Sequence, residues 1–284
     1  MRYLFIFLLM ATVGLASCLK EDAPMGPKGS NDVIEIFNDE PGLIASSTTS
    51  SYPLFVETFP ISAGEAFEVF ISYTGGNTGA PHDINVTVGL DDNAITTYNT
   101  ENNTHYIPLP ADKYTVDSWN VTIKKGEKRA KLTFTLKTDQ FLFTEAYALP
   151  VKVLTSSLGT ISRNFGTVLF SVGAKNQYDG VYQYTTSANT SLLPNRNVEV
   201  ELWTLSKNRN IIKPGLLGNY SNVVEYEVVE ATNAVLVTCV SLGVETPQDA
   251  RSKYIPATRT YEVFWKQGNG ARTFEEKMVF KRDR

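Results

Sequence analysis

The sequence predicts an all-β protein: an N-terminal immunoglobulin-like β-sandwich followed by a C-terminal antiparallel β-barrel-like domain. Three observations carry this expectation. Apolar and polar residues alternate over short runs, the period of a half-buried strand. Clusters of Gly, Pro, Asn and Asp separate the runs and mark turns. The apolar members of the runs are mostly β-branched or aromatic, the residue types that pack well on a pleated surface.

In the first half, Phe67, Val69, Ile71 and Tyr73 alternate with Glu68 and Ser72. Val86, Val88 and Leu90 alternate with Thr87 and Gly89. Val121 and Ile123 precede the turn Lys124-Lys125-Gly126-Glu127, where Gly126 suits a positive φ. Leu132, Phe134 and Leu136 follow, then Val151 and Val153, then Val168, Phe170 and Val172. About seven runs over residues 32–175 predict the sandwich. Pro110 and Pro150 are expected at strand edges, where a missing N–H costs no ladder bond. Asp91–Asn99 is expected to form one helical turn capped by Asp91 and Asp92.

Ala174-Lys175-Asn176-Gln177 reads as a polar hinge, which places a second domain over residues 176–284. Strands are expected there at Gly180–Thr185, Val198–Ser206, Val223–Glu230, Ala234–Ser241, Arg259–Lys266 and Thr273–Phe280. Gln267-Gly268-Asn269-Gly270 has the composition of a hairpin turn. About six antiparallel strands suit a small barrel or curled sheet. No fixed-period repeat is visible, which argues against a solenoid.

At the N-terminus, Arg2 precedes an apolar stretch from Tyr3 that ends in Leu15-Ala16-Ser17-Cys18. The stretch is too short to span a bilayer as a helix and ends in small residues, so residues 1–17 read as a signal peptide. The segment resembles a bacterial lipoprotein signal, in which cleavage leaves the cysteine first and acylated. That resemblance implies lipid attachment at Cys18 and an outer membrane as the first partner. Each buried methylene adds about 0.8 kcal/mol of membrane affinity, so several acyl chains hold a protein permanently. Residues 18–31, with Pro24, Gly26, Pro27 and Gly29, read as a flexible tether. Lys20-Glu21-Asp22 resembles the export signal that sends Bacteroidota lipoproteins to the outer face of the outer membrane. The expected location is therefore lipid-anchored and facing the exterior.

Composition excludes several functions. The formal net charge is −4, and cleavage of the leader removes Arg2, so there is no basic footprint for nucleic acid. With Cys18 lipidated, Cys239 is the remaining thiol and cannot form an intramolecular disulfide. Its apolar neighbours Val237 and Val240 mark it as a small buried hydrophobe. His82 and His105 lack zinc-ligand spacing, and Asp91-Asp92 lacks the spacing of a calcium loop. No Gly-x-Ser-x-Gly elbow or Cys/His pair is present. No metal, cofactor or enzymatic activity is expected. The Asn-x-Ser/Thr runs at Asn85, Asn102, Asn120, Asn189 and Asn219 read as chance features of a Thr-rich β-protein.

A family resemblance rests on several segments in order. They are Leu90-Asp91-Asp92-Asn93 with Tyr98-Asn99, Leu109-Pro110, Tyr114, Val121-Thr122-Ile123-Lys124-Lys125-Gly126, Tyr147-Ala148-Leu149-Pro150-Val151 and Tyr178-Asp179-Gly180-Val181-Tyr182. Together they resemble Bacteroidota surface lipoproteins that carry the domain of unknown function family 1735, over most of residues 32–175. The second half is similar to a β-domain often paired with it. The resemblance implies the immunoglobulin-like sandwich and a setting among outer-membrane systems that capture and import glycans. Similar N-terminal domains are attached to chitinase-like endoglycosidases, whose Asp-x-x-Asp-x-Asp-x-Glu strand is missing here. Tyr98, Tyr114 and Tyr147 are expected in the core with their hydroxyls toward its rim.

A glycan site pairs an exposed aromatic platform with polar groups at its edge. Strand parity sorts the three tryptophans. Trp119 shares parity with Val121 and Ile123, and Trp265 with Tyr261 and Val263, so both are expected inside. Trp203 lies opposite Val198, Val200 and Leu202, on the face of Glu199 and Glu201. The expected ligand-binding set is Trp203, Glu201, Asn208 and Arg209. The expected function is a non-catalytic surface lipoprotein that binds glycan or supports a polysaccharide-capture complex, with glycans or outer-membrane transport proteins as partners. The alternatives are a structural or adhesive module that binds protein, and an unrecognised glycoside hydrolase. The latter needs two carboxylates converging in a deep cleft, one with a raised pKa.

Overall fold

The computed structural model describes residues 31–37 and 49–284. The expected signal peptide over residues 1–17, Cys18 and residues 18–30 of the expected tether lie outside the described residues.

The first half is built from β1 (Val33–Phe37), β2 (Leu54–Pro60), β3 (Glu65–Thr74), β4 (Ile84–Leu90), α1 (Asp92–Asn102), β5 (Ile107–Pro108), β6 (Tyr114–Val116), β7 (Asn120–Ile123), β8 (Arg129–Leu136), β9 (Tyr147–Ser156), β10 (Thr160–Ile161) and β11 (Thr167–Lys175). They form two facing sheets, ordered β10-β1-β3-β8-β6 and β2-β11-β9-β4-β7, with β5 beside β9. The β2 edge strand runs parallel to β11, and β1 runs antiparallel to β3. This is the expected immunoglobulin-like sandwich.

Alternation in the sequence becomes alternation in burial. Phe67, Val69 and Ile71 point into the core from β3, and Leu132, Phe134 and Leu136 from β8. Phe67 meets Phe170 edge-on at 5.1 Å across the two sheets. Trp119 is partly buried and packs edge-on against Phe134 at 5.8 Å. Each such ring contributes about 1.5–3 kcal/mol by leaving water. Tyr98 and Tyr147 are buried and Tyr114 half-buried, and the Tyr147 hydroxyl accepts from the Leu142 N–H.

Two local expectations are corrected. The helix α1 has three turns rather than one, because Ala94, Ile95 and Tyr98 bury a stripe against Leu54, Ala148 and Leu169 on the outside of the β2-β11-β9 sheet. Asp91 precedes it without a side-chain cap; its carboxylate is held instead by Lys152 at 2.7 Å. Pro150 lies inside the central strand β9, not at an edge. Its carbonyl still accepts from the Asp91 N–H at 3.0 Å, and the Asp91 carbonyl accepts from the Ala94 N–H at 2.9 Å, so the acceptors beside the proline are satisfied.

The second half closes into an antiparallel barrel of β12 (Gly180–Thr186), β13 (Asn197–Thr204), β14 (Arg209–Lys213), β15 (Glu225–Val229), β16 (Ala234–Thr238), β17 (Lys253–Ile255), β18 (Thr260–Lys266) and β19 (Thr273–Arg282). Each strand pairs with the next, and β19 returns to β12. Eight strands form where six were expected: β17 has three residues, and β14 hides its alternation because its inward positions are Asn210 and Ile212 while Ile211 faces out. Tyr182, Tyr184, Tyr226, Tyr261, Trp265, Phe274 and Met278 fill the interior, as a barrel of this size requires. Trp265 is thus in the core, and Cys239 is buried and free.

The expected hinge does not behave as one. β2 and β11 stay paired to Lys175, whose carbonyl accepts from the Ile61 N–H at 3.2 Å. The buried Asn176 then joins the barrel: its amide donates to the Ser206 carbonyl at 2.7 Å and the Asn210 side chain at 2.9 Å. Its own oxygen accepts from Asn210 and from the Tyr178 N–H. Asp179 accepts from the N–H and hydroxyl of Thr204, both at 2.9 Å. The connection is polar because it is hydrogen-bonded, not because it is loose.

Candidate functional site: the barrel wall and the barrel mouth

The outer wall of the barrel carries the predicted aromatic. Trp203 is 41% exposed. It occupies the outward face of β13, opposite Ile211 on β14. Its indole N–H donates to Glu201 at 2.6 Å, which fixes the ring's orientation. The Arg284 guanidinium lies 4.5 Å from the ring centroid and the Lys213 ammonium 5.4 Å away. Arg284 also grips Asp179 through two hydrogen bonds. Farther along β13, Glu199 accepts from Lys281 and Arg282 at 2.8 and 2.9 Å. Those two cations hold its carboxyl down at about 2. Arg284 and Lys213 thus lie over the indole ring as cation–π partners.

Asn208 and Arg209 face the neighbouring strand instead. The Asn208 amide donates to the Val228 carbonyl at 3.0 Å, and Arg209 bonds Glu227 and Glu225 on β15. Of the four predicted residues, Trp203 and Glu201 form one unit. Asn208 and Arg209 form another, at the β13–β14 turn.

A larger concavity was not foreseen. At one end of the barrel, several of its turns and strand ends face residues of the sandwich. The cleft between has a volume of ≈ 790 Å³. Pro60, Ile61 and Lys175 line it from the sandwich, and Asn233, Tyr254 and Arg259 are among its liners from the barrel. Tyr254 meets Tyr178 edge-on at 4.9 Å and continues inward to Tyr261, also at 4.9 Å. Burial pushes the Tyr254 hydroxyl above its ordinary range, opposed by the nearby Arg259. Arg259 stacks over Phe280 with its guanidinium carbon 3.2 Å from the ring centroid and donates to the Gln177 carbonyl. No sequence signal marks this cleft, because its walls come from turns far apart in the chain.

One carboxyl has the raised pKa that a catalytic acid needs. Glu276 is 3% exposed, and burial raises it, against the hydrogen bonds that lower it. It lies in the packed barrel interior, accepting from the Tyr226 hydroxyl at 2.5 Å and the Trp265 indole at 3.0 Å. The Tyr184 hydroxyl faces the same carboxyl. The groups that hold this carboxyl are phenols and an indole; Glu276 does not line the barrel-mouth cleft but borders a smaller concavity of ≈ 270 Å³ with Glu262 and Glu275. Among the described residues, no three His, Cys, Asp or Glu side chains gather as metal ligands.

Residues 180–282 match the profile of DUF7015, a domain of unknown function. Residues 37–159 match a profile described as an N-terminal domain. No curated protein matches the chain. Among solved structures, it is similar to a Bacteroides ovatus protein of unknown function, with 13% identity, TM-score 0.56, and coverage of 89% of this chain and 95% of that one. A second B. ovatus protein of unknown function gives 13% identity and TM-score 0.52, covering 87% and 93%. A multidomain B. ovatus protein that includes DUF1735 gives 13% identity and TM-score 0.51, covering 87% and 92%. At this identity the likeness is one of fold, and it extends over both halves of the chain. The expected resemblance to DUF1735-bearing proteins is borne out at that level: the chain is a two-domain β protein, a sandwich followed by a barrel that matches DUF7015.

Proposed function

We propose that the chain is a non-catalytic lipoprotein, anchored through Cys18 to the outer face of an outer membrane, that retains glycan at the cell surface. The observation that carries this reading is Trp203: a large, exposed indole whose orientation is fixed by Glu201. Sugars present apolar C–H faces and hydroxyl edges. The exposed part of the indole offers apolar surface, and Glu201 beside it with Lys213 and Arg284 over the ring offer an acceptor and donors. The surroundings of Glu276 support a non-catalytic role, because its carboxyl is buried and held by the Tyr226 hydroxyl and the Trp265 indole. Lipid retention and weak contacts combine through multivalency on a polymer, where tethered sites gain avidity without new contacts.

The test is binding of residues 22–284 to a broad glycan array, with Trp203→Ala alongside. Loss of an exposed aromatic anchor removes about 2 kcal/mol or more, so selective binding should weaken at least tenfold. A wild-type protein that binds no glycan refutes the function. Binding unchanged in Trp203→Ala refutes the site.

A further inference from the structure

We propose that the cleft at the barrel mouth is a second binding site, for an oligosaccharide that carries a carboxylate, with Lys175 as the contact for the acidic group. This inference rests on the glycan-binding reading but concerns a different surface from that of Trp203.

Four features support it. The first is place and size. A concavity of ≈ 790 Å³ lies where two domains meet and at the end of a barrel, and both are common positions for ligand sites of this size. The second is rigidity. The walls are fixed to each other by the strand pairing that runs to Lys175 and by the Asn176–Asn210 hydrogen bonds. A pre-formed cleft avoids the ordering cost that weakens flexible sites.

The third is charge. Lys207 pairs with Glu230 at 3.3 Å, Arg259 with Asp283 at 3.8 Å, and Asp179 with Arg284 at 3.1 Å. Lys175 is the charged liner with no ion-pair partner among the described residues. The cleft therefore offers one uncompensated cation. Its three carboxylates would repel a densely charged polyanion such as nucleic acid, whereas a single carboxylate can reach Lys175 alone. The fourth is the remaining lining. Pro60, Ile61 and Pro256 supply apolar surface for C–H faces, while Asn233 and Tyr254 supply polar groups for hydroxyls.

The experiment is isothermal titration of the whole chain, purified in detergent, with a trisaccharide that carries a single uronate and with the same trisaccharide after its carboxyl is reduced to an alcohol. The expected result is binding of the acidic probe at least tenfold tighter than the neutral one. Lys175→Gln should remove that preference, Lys175→Arg should keep it, and Ile61→Trp should block the cleft to both. Trp203→Ala should leave the acidic preference in place. Lys175 projects from a strand end, so its substitution keeps the backbone pairing. Equal affinity for the two probes, an undiminished preference in Lys175→Gln, or no binding of the acidic probe at millimolar concentration overturns the inference. An acidic preference lost in Trp203→Ala but kept in Lys175→Gln also overturns it and leaves the glycan reading standing. That reading itself falls if the array shows no glycan bound at all.

Discussion

Glu276 makes the pH dependence of this fold predictable. Burial raises its folded-state pKa above the ordinary 4.5. Below that ordinary value the carboxyl is protonated in both folded and unfolded states, and it carries no penalty. As pH rises from about 4.5 through the folded pKa, the unfolded chain ionises freely while the folded one is held protonated or pays desolvation. Stability is therefore lost over that window, by about 1.4 kcal/mol for each unit by which the pKa is raised. Glu276→Gln keeps the shape, and its amide can meet Tyr226 and Trp265 while remaining neutral. The variant should lose the downward slope that begins above pH 4.5 and be more stable than wild type at the upper end. Glu276→Ala should lose the slope as well but be less stable than wild type throughout. It leaves the Tyr226 hydroxyl and Trp265 N–H unpaired in the core, at about 1–3 kcal/mol each, with a cavity cost added. Urea unfolding followed by tryptophan fluorescence across this range measures both variants. A Glu276→Gln protein with the wild-type slope would refute the argument.

Two further substitutions test the framework. Asn176→Ala leaves the Tyr178 N–H and the Asn210 amide without partners. It should cost about 2–4 kcal/mol and open residues 175–179 to limited proteolysis; resistance equal to wild type would show that the connection is held by something else. Gly215→Ala places a Cβ 2.2 Å from the Tyr220 carbonyl oxygen at a φ of +149°. It should destabilise the barrel by about 1–3 kcal/mol or more, visible as a lowered melting temperature, and an unchanged value would mean the loop relaxes freely.

The parity argument that exposes Trp203 and buries Trp265 holds in the structure, as do the positive φ at Gly126 and the turn that Gly270 closes. The same parity was available for Glu276, which lies between Phe274 and Met278 on one face of β19. Its charge argued for the surface, and only the phenol and indole that surround it make the buried position tenable. Helix α1 was foreshortened because its buried stripe is defined by sheet residues that pack on it, not by a strong periodicity of its own.

The sequence by itself determined strand character, the outward indole and the absence of familiar catalytic motifs, because each depends on neighbours within a few residues. Closure of the barrel, the rigid connection and the cleft were decided by the tertiary structure. Val181 pairs with Arg282, Lys175 with Pro60, and the mouth gathers strand ends from Tyr178 to Asp283. Alternation records which way a side chain points from its own strand. It carries no information about which distant strand lies beside it, and a cleft exists only in that second relation.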